Sequence, residues 1–301
     1  MIRLVTDSTI TVPESIRVSG KVQVISLYVR WAGQEYEDAT MDVDDFYGHL
    51  DATSGELPTS SQPSAATFES CFEEAACAED EVLGIFISSA LSGTYEGALR
   101  AARAVAACHP QFKFALIDSS SCGGDATPAV LEALDAIESG ASLDHAAQRA
   151  LFGVQSSRFL FSPVSLDFLR AGGRIGRASA LIGGLMQIRP VLTVTDGSVR
   201  VLAKARSHKK ALAAIVNQID ADIAGRGGFK RLIVHYIGNR QSALDWVRDV
   251  VTPHFDRAVD IAPVSPVIGA HVGPALGIAY QCNLPLQDKI TGNVQQLLCT
   301  C

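Results

Sequence analysis

The sequence lacks most of the signatures by which enzymes announce themselves. Its seven cysteines, at positions 71, 77, 108, 122, 282, 299 and 301, form no C-x-x-C pair and no Cys/His grouping with zinc spacing, so no metal site is expected from spacing. An odd number of irregularly spaced thiols reads as reduced and mostly buried, with the tail pair Cys299 and Cys301 either reactive or, the favoured reading, frayed and inert. No G-x-x-x-x-G-K-[ST] occurs, which removes ATP binding through a P-loop. The first strand runs into Thr6-Asp7-Ser8-Thr9 rather than a Gly-rich turn, which removes the dinucleotide fingerprint. Ser92, in Ala90-Leu91-Ser92-Gly93, lacks the first glycine of a nucleophile elbow. The seven histidines show no H-E-x-x-H or H-x-E pattern. Basic charge is scarce: 25 Lys and Arg face 32 Asp and Glu, a net charge of -7, which argues against nucleic acid and anionic membranes. No apolar run reaches the roughly 18–20 residues of a spanning helix. An acid as early as Asp7 excludes an ordinary signal peptide, so a cytoplasmic location is expected. Together these absences favour a binding protein with no catalytic residues and no cofactor.

What the chain has is apolar bulk and a regular alternation. Of its 301 residues 48% are hydrophobic and 19% charged, enough for a large core and suited to two domains. Ile2–Val5, Lys21–Val29, Val82–Ile87 and Phe112–Ile117 read as strands. Ala65–Ala78, Thr94–Ala107, Pro128–Ile137 and Leu143–Phe152 read as helices. Leu57–Ser64 reads as a Ser/Thr/Pro loop. The alternation implies an α/β domain over residues 1–158 with a parallel sheet, its polar residues Asp7, Ser88 and Asp118 gathered at the strand ends where such sheets place ligands. Residues 159–301 read as a second, α+β domain. It holds a strand at Phe159–Phe161 and a hairpin whose strands, Ile188–Thr195 and Val199–Leu202, flank Asp196-Gly197. A helix capped by Ser207, a strand at Arg231–Tyr236 and a helix over Asn239–Val251 follow.

Three segments offer chemistry. Pro58-Thr59-Ser60-Ser61-Gln62-Pro63-Ser64 presents a row of hydroxyls, although Ser64 also suits a helix cap. Ser88-Ser89-Ala90-Leu91-Ser92-Gly93-Thr94 joins a strand to a helix; Ser92 with the Gly93 backbone suits an oxygen anion, and Ser92 or Thr94 equally suits capping. Pro266-Val267-Ile268-Gly269-Ala270-His271-Val272-Gly273-Pro274 sets one histidine among small and apolar residues. That histidine is either a packed core group or an N–H donor to an anion.

In this order, and with Val5-Thr6-Asp7-Ser8-Thr9, Leu169-Arg170-Ala171-Gly172-Gly173-Arg174-Ile175 and Arg189-Pro190-Val191-Leu192, these segments resemble the DegV family of bacterial fatty-acid-binding proteins. The resemblance spans most of the chain. It implies an α/β fold with a ligand tunnel between two domains, one bound long-chain fatty acid (C14–C18, such as palmitate or oleate), and service as a subunit of fatty acid kinase. A separate ATP-dependent kinase would phosphorylate the carboxylate, and the acyl phosphate would feed phospholipid synthesis. Carried over by position, Ser60, Ser92, Gly93 and His271 would hold the carboxylate. Ser60 stands where the family usually has Thr, keeping the hydroxyl. His271 precedes a Gly-Pro that runs into Ala275, where the family often has a further glycine.

The physics of such a ligand sets the terms. Burying about 15 methylenes at roughly 0.8 kcal/mol each gains a gross ~12 kcal/mol, offset by ordering the chain. The tail therefore needs an almost enclosed apolar space, and the head needs neutral donors that leave the carboxylate nucleophilic. No arginine falls within the three segments. Arg170, Arg174 and Arg206 stand in two basic clusters on an acidic chain and read as kinase-docking residues or as solvated surface. The alternative function is a serine hydrolase or acyltransferase using Ser92 and His271, with Asp7 or Asp118 orienting the base.

Overall fold

The computed structural model describes residues 1–52, 57–181 and 188–301. In chain order the strands are β1 (Ile2–Asp7), β2 (Val22–Ile25), β3 (Tyr28–Trp31), β4 (Gln34–Glu37), β5 (Thr59–Ser61), β6 (Glu81–Phe86) and β7 (Phe114–Asp118). They continue with β8 (Ser157–Pro163), β9 (Arg189–Thr195), β10 (Ser198–Ala205), β11 (Phe229–Ile237), β12 (Asp260–Pro263), β13 (Ala275–Cys282) and β14 (Leu298–Thr300).

The first sheet has the order β14-β7-β6-β1-β2. Its four N-terminal strands are parallel, as the alternating pattern requires, and β14 joins them antiparallel. Helices cover both faces. Ala65–Cys77 and Thr94–Cys108 pack on one side through Phe68, Phe72, Ala98 and Leu99. Thr127–Glu138 and Leu143–Ser156 pack on the other through Ala129, Ala133, Ala147 and Leu151. The second sheet has the order β10-β9-β8-β13-β11-β12 and is antiparallel except for the β11–β12 pair. Asp196-Gly197 makes the expected two-residue turn between β9 and β10, both residues at positive φ as a twist-matched hairpin demands.

Three local readings need correction. Lys21–Val29 is two strands in different sheets: Ser8 Oγ accepts the Leu27 N–H at 3.0 Å, Ser26 Oγ accepts the Ala39 N–H at 3.0 Å, and the chain turns between them. The Ser/Thr/Pro loop contains β5, which pairs with β3 in a small third sheet of order β4-β3-β5. The tail is not frayed, since Cys299 lies in β14 opposite Leu116.

Nor does the fold divide cleanly at residue 158. Leu27, Val29, Phe46 and Tyr47 belong to the same core as Phe159, Val194 and Ile268, while residues 298–300 return to the first sheet. The crossover between β13 and β14 is pinned from below. Asp288 pairs with the buried Arg158, Lys289 pairs with Asp125 with both side chains at 1% exposure or less, and Thr291 donates N–H and O–H to Asp196.

Candidate functional site

The C-terminal ends of β1, β6 and β7 build the floor of the site. Asp7 accepts the Ile87 N–H at 2.6 Å, and Asp118 accepts the Ser89 N–H at 3.2 Å and the Ser89 hydroxyl at 2.5 Å. These carboxylates are therefore structural: they satisfy the backbone of the 87–92 turn and set its shape. Ser88 donates to the Gly197 carbonyl at 3.0 Å, docking the hairpin of the second sheet onto the same turn. Gly93 caps the Thr94–Cys108 helix, and Ser92 Oγ lies 2.8 Å from Thr94 Oγ1. Ser64 caps the Ala65–Cys77 helix, accepting from the Thr67 N–H at 3.1 Å, which leaves Ser60 to Gln62 ahead of it.

The His271 segment is a short helix, Pro266–Val272, which sequence reasoning did not assign. Its signal was the Ser265-Pro266 pair, a cap followed by proline at the first helical position. Ser265 accepts the Ile268 N–H and Asp38 Oδ1 accepts the Val267 N–H at 2.8 Å. The helix delivers His271 Nε2 to within 2.7 Å of Ser60 Oγ. Nδ1 is buried without a partner. It lies against Gly172, where a Cβ would fall 2.2 Å from it. That close approach is why a glycine stands at 172.

Burial, and then the Arg174 guanidinium, push the His271 pKa down to about 4, so the ring is neutral at pH 7. A proton on Nδ1 would meet no acceptor, which assigns it to Nε2, pointing at Ser60 Oγ. The Ser60 hydroxyl hydrogen is then free to donate elsewhere.

Ser60, Gln62, Ser92, Gly93, Arg174 and His271 line one cavity of about 350 Å³, within the ~300–1,000 Å³ range of small-molecule sites. The rest of its wall is largely apolar and comes from both sheets and their connections: Leu27, Ile87, Phe159, Phe161, Val194 and Val199 among others. A separate void of about 10 Å³ is lined by Phe159, Phe161, Val272 and Leu276.

The structure thus gathers Ser60, Ser92, Gly93 and His271 in one place. It also brings in Arg174, from outside the three segments, which the sequence reading had placed with the kinase-docking residues. The Gly172-Gly173 turn folds back so that Arg174 donates to Gly172 O at 2.5 Å and to Leu91 O at 3.1 Å. Gln62 and the aromatic pair Phe159 and Phe161 were missed, because only the tertiary fold puts them there. Arg170 is exposed and paired with Asp167 at 3.0 Å, and Arg206 is exposed just after β10. Neither lines the cavity.

No hydrolytic triad forms among the described residues. His271 pairs with Ser60 rather than Ser92, and Asp7 and Asp118 are engaged with the 87–92 turn and their own loops.

Asp38, which holds the His271 helix, has its pKa pushed up to about 7 by burial. Its folded pKa lies above the ordinary value of 3.8, so the native state binds the extra proton between about pH 4 and 7. Its contribution to stability is complete below pH 4 and is lost as pH rises through 7. Asp7, raised to about 6, acts in the same sense, while His235 and His271, both lowered to about 4, act oppositely. Asp38→Asn keeps an oxygen for Val267 and cannot ionise. Its urea midpoint should gain on that of the wild type from pH 5 to pH 8. A constant offset across that range would refute the assignment.

Structurally, then, this is a two-domain α/β protein in which a cavity lined by both polar and apolar side chains lies between its sheets. The chain belongs to the DegV family: the family model described as "Uncharacterised protein, DegV family" matches residues 1–283. A DegV domain-containing protein of Clostridium acetobutylicum is 36% identical over 282 residues, covering 93% of this chain and 97% of that protein. A DegV family protein from Thermus thermophilus, whose structure is described by its fatty acid binding, superposes with a TM-score of 0.82 at 30% identity, over 93% of this chain and 99% of that one. The Streptococcus pneumoniae fatty acid kinase B3 protein, loaded with linoleic acid, shares the fold at a TM-score of 0.76 and 24% identity, over 93% of this chain and 99% of that one.

Proposed function

We propose that the protein binds one long-chain fatty acid, of the C14–C18 class such as palmitate or oleate, and presents its carboxylate to a separate ATP-dependent fatty acid kinase in the cytoplasm. The observation that carries this reading is the Ser60–His271 pair beside Ser92 in a cavity whose wall is otherwise largely apolar. The fatty acid binding of the Thermus thermophilus relative supports it.

The head is held by relayed neutral donors. His271 Nε2–H supports Ser60 Oγ, and the Ser60 and Ser92 hydroxyls donate to the two carboxylate oxygens. Such donors fix the anion without cancelling its nucleophilicity as a direct salt bridge would. Arg174 stands close enough to lower the His271 pKa and raises the local positive potential without occupying the head position. The tail enters the space between the domains, toward Phe159, Phe161 and Val272.

Mass spectrometry of an organic extract of the purified, undenatured protein should yield one mole of C14–C18 fatty acid per mole of chain. No extracted lipid, and no uptake of added palmitate or oleate, would refute the reading. The kinase step is tested separately on Arg170 and Arg206, which stand outside the cavity. Arg170→Glu and Arg206→Glu should each lower acyl phosphate formation several-fold while leaving the fatty acid Kd unchanged. Undiminished acyl phosphate formation by both variants would remove them from the docking surface.

A further inference from the structure

The helices Ala65–Cys77 and Thr94–Cys108 share more than a face of the first sheet. Both begin at the candidate head site, one after Ser60–Ser64 and the other at Ser92–Gly93. They run side by side, so their C-terminal ends also meet, on the far side of the domain. Three ligand-bearing side chains converge there. Glu73 and Cys77 are one turn apart on the first helix, and His109 closes the second. His109 Nε2 lies 2.6 Å from Glu73 Oε1 and Cys77 Sγ lies 3.9 Å from the same oxygen. One ligand atom from each residue falls within 4.8 Å of the others.

The geometry points to a binding site for a zinc-class divalent cation at Glu73, Cys77 and His109, with the fourth coordination position left to water. Ligands about 2.0–2.3 Å from one tetrahedral ion stand roughly 3.3–3.8 Å apart. The observed separations bracket that range. Glu73 is half-exposed at 50%, so its carboxylate is free to open the short contact with His109. A thiolate with an imidazole selects zinc over magnesium, calcium or manganese, which prefer all-oxygen sets. The thiolate and carboxylate together neutralise the ion, with the thiol proton released to solvent. Two helix C-termini ending here add their negative dipole ends, which favours a cation. Ordinary zinc spacing is absent from the sequence because the third ligand comes from a different helix, 32 residues on.

Zinc chloride titrated by calorimetry into the reduced, metal-stripped, untagged full chain should bind at one equivalent. Cobalt(II) should give a thiolate-to-metal absorption band that Cys77→Ser abolishes. Cys77→Ser and His109→Ala should each weaken zinc binding at least about tenfold, as loss of a ligand requires. Cys108→Ser, at the adjacent exposed thiol, should leave it unchanged. No zinc affinity in the wild type, retention of the cobalt band by Cys77→Ser, or loss of binding with Cys108→Ser instead would each overturn the assignment. All three substituted positions are outside the cavity, so the same variants should keep their fatty acid Kd.

Discussion

Ser60→Ala is expected to weaken fatty-acid binding about 10- to 100-fold, because a hydrogen bond to a charged group contributes about 1.5–3 kcal/mol. The loss exceeds that of a lone hydroxyl because Ser60 serves two partners. Its hydrogen is free for the carboxylate, and its oxygen accepts from His271 Nε2 at 2.7 Å. Without it both His271 nitrogens lack a partner, since Nδ1 already has none. Ser92→Ala should cost less, because Thr94 Oγ1 lies only 2.8 Å from the deleted oxygen and is a ready substitute donor. Ser60→Thr, which keeps the hydroxyl, should restore affinity. Calorimetric titration of the delipidated protein with oleate decides it: an unaltered Kd for Ser60→Ala in a protein of normal thermal midpoint would move the head elsewhere.

The second large effect falls on stability. Lys289→Met is expected to destabilise the protein by about 3–5 kcal/mol, the cost of stranding a buried charge, and to lower Tm by at least about 6 °C. Asp125 is fully buried and already has one oxygen without a partner. The remaining neighbour of the pair is the Ser121 hydroxyl, too weak to hold a carboxylate alone. Removing the other charge as well, with Lys289→Met and Asp125→Asn together, should recover a substantial part of the loss. If the double variant is no better than the single one, the pair contributes through packing and not through charge.

Much of this architecture was readable from periodicity and turn chemistry. The parallel sheet, its four helices, the Asp196-Gly197 hairpin and the Ser207-capped helix all follow local rules, because each is fixed by residues near in sequence. The misses share the opposite cause. The bend at Ser26-Leu27 is set by hydroxyls that reach across from Ser8 and to Ala39. The β5 strand exists because β3 offers an edge. Arg174 reaches the cavity only because Gly172 lets the chain pass against His271. The resemblance singled out Ser60, Ser92 and His271, which the fold gathers in one cavity, but it did not anticipate the contact between Ser60 and His271. Donation of a His271 N–H straight to an anion was the expectation; His271 Nε2 instead lies 2.7 Å from Ser60 Oγ.

The placement of β14 has a consequence for how the protein is made. Residues 298–300 leave the ribosome after all that precedes them, yet they cover β7, the outer strand of the first sheet. Until then Phe114–Asp118 presents open N–H and C=O groups along a strand whose first four residues are apolar, the kind of template on which a second nascent chain can pair. A polypeptide released before Leu298 would carry that adhesive edge permanently. Pairing of residues 298–300 with β7 thus blunts the edge that would otherwise seed aggregation.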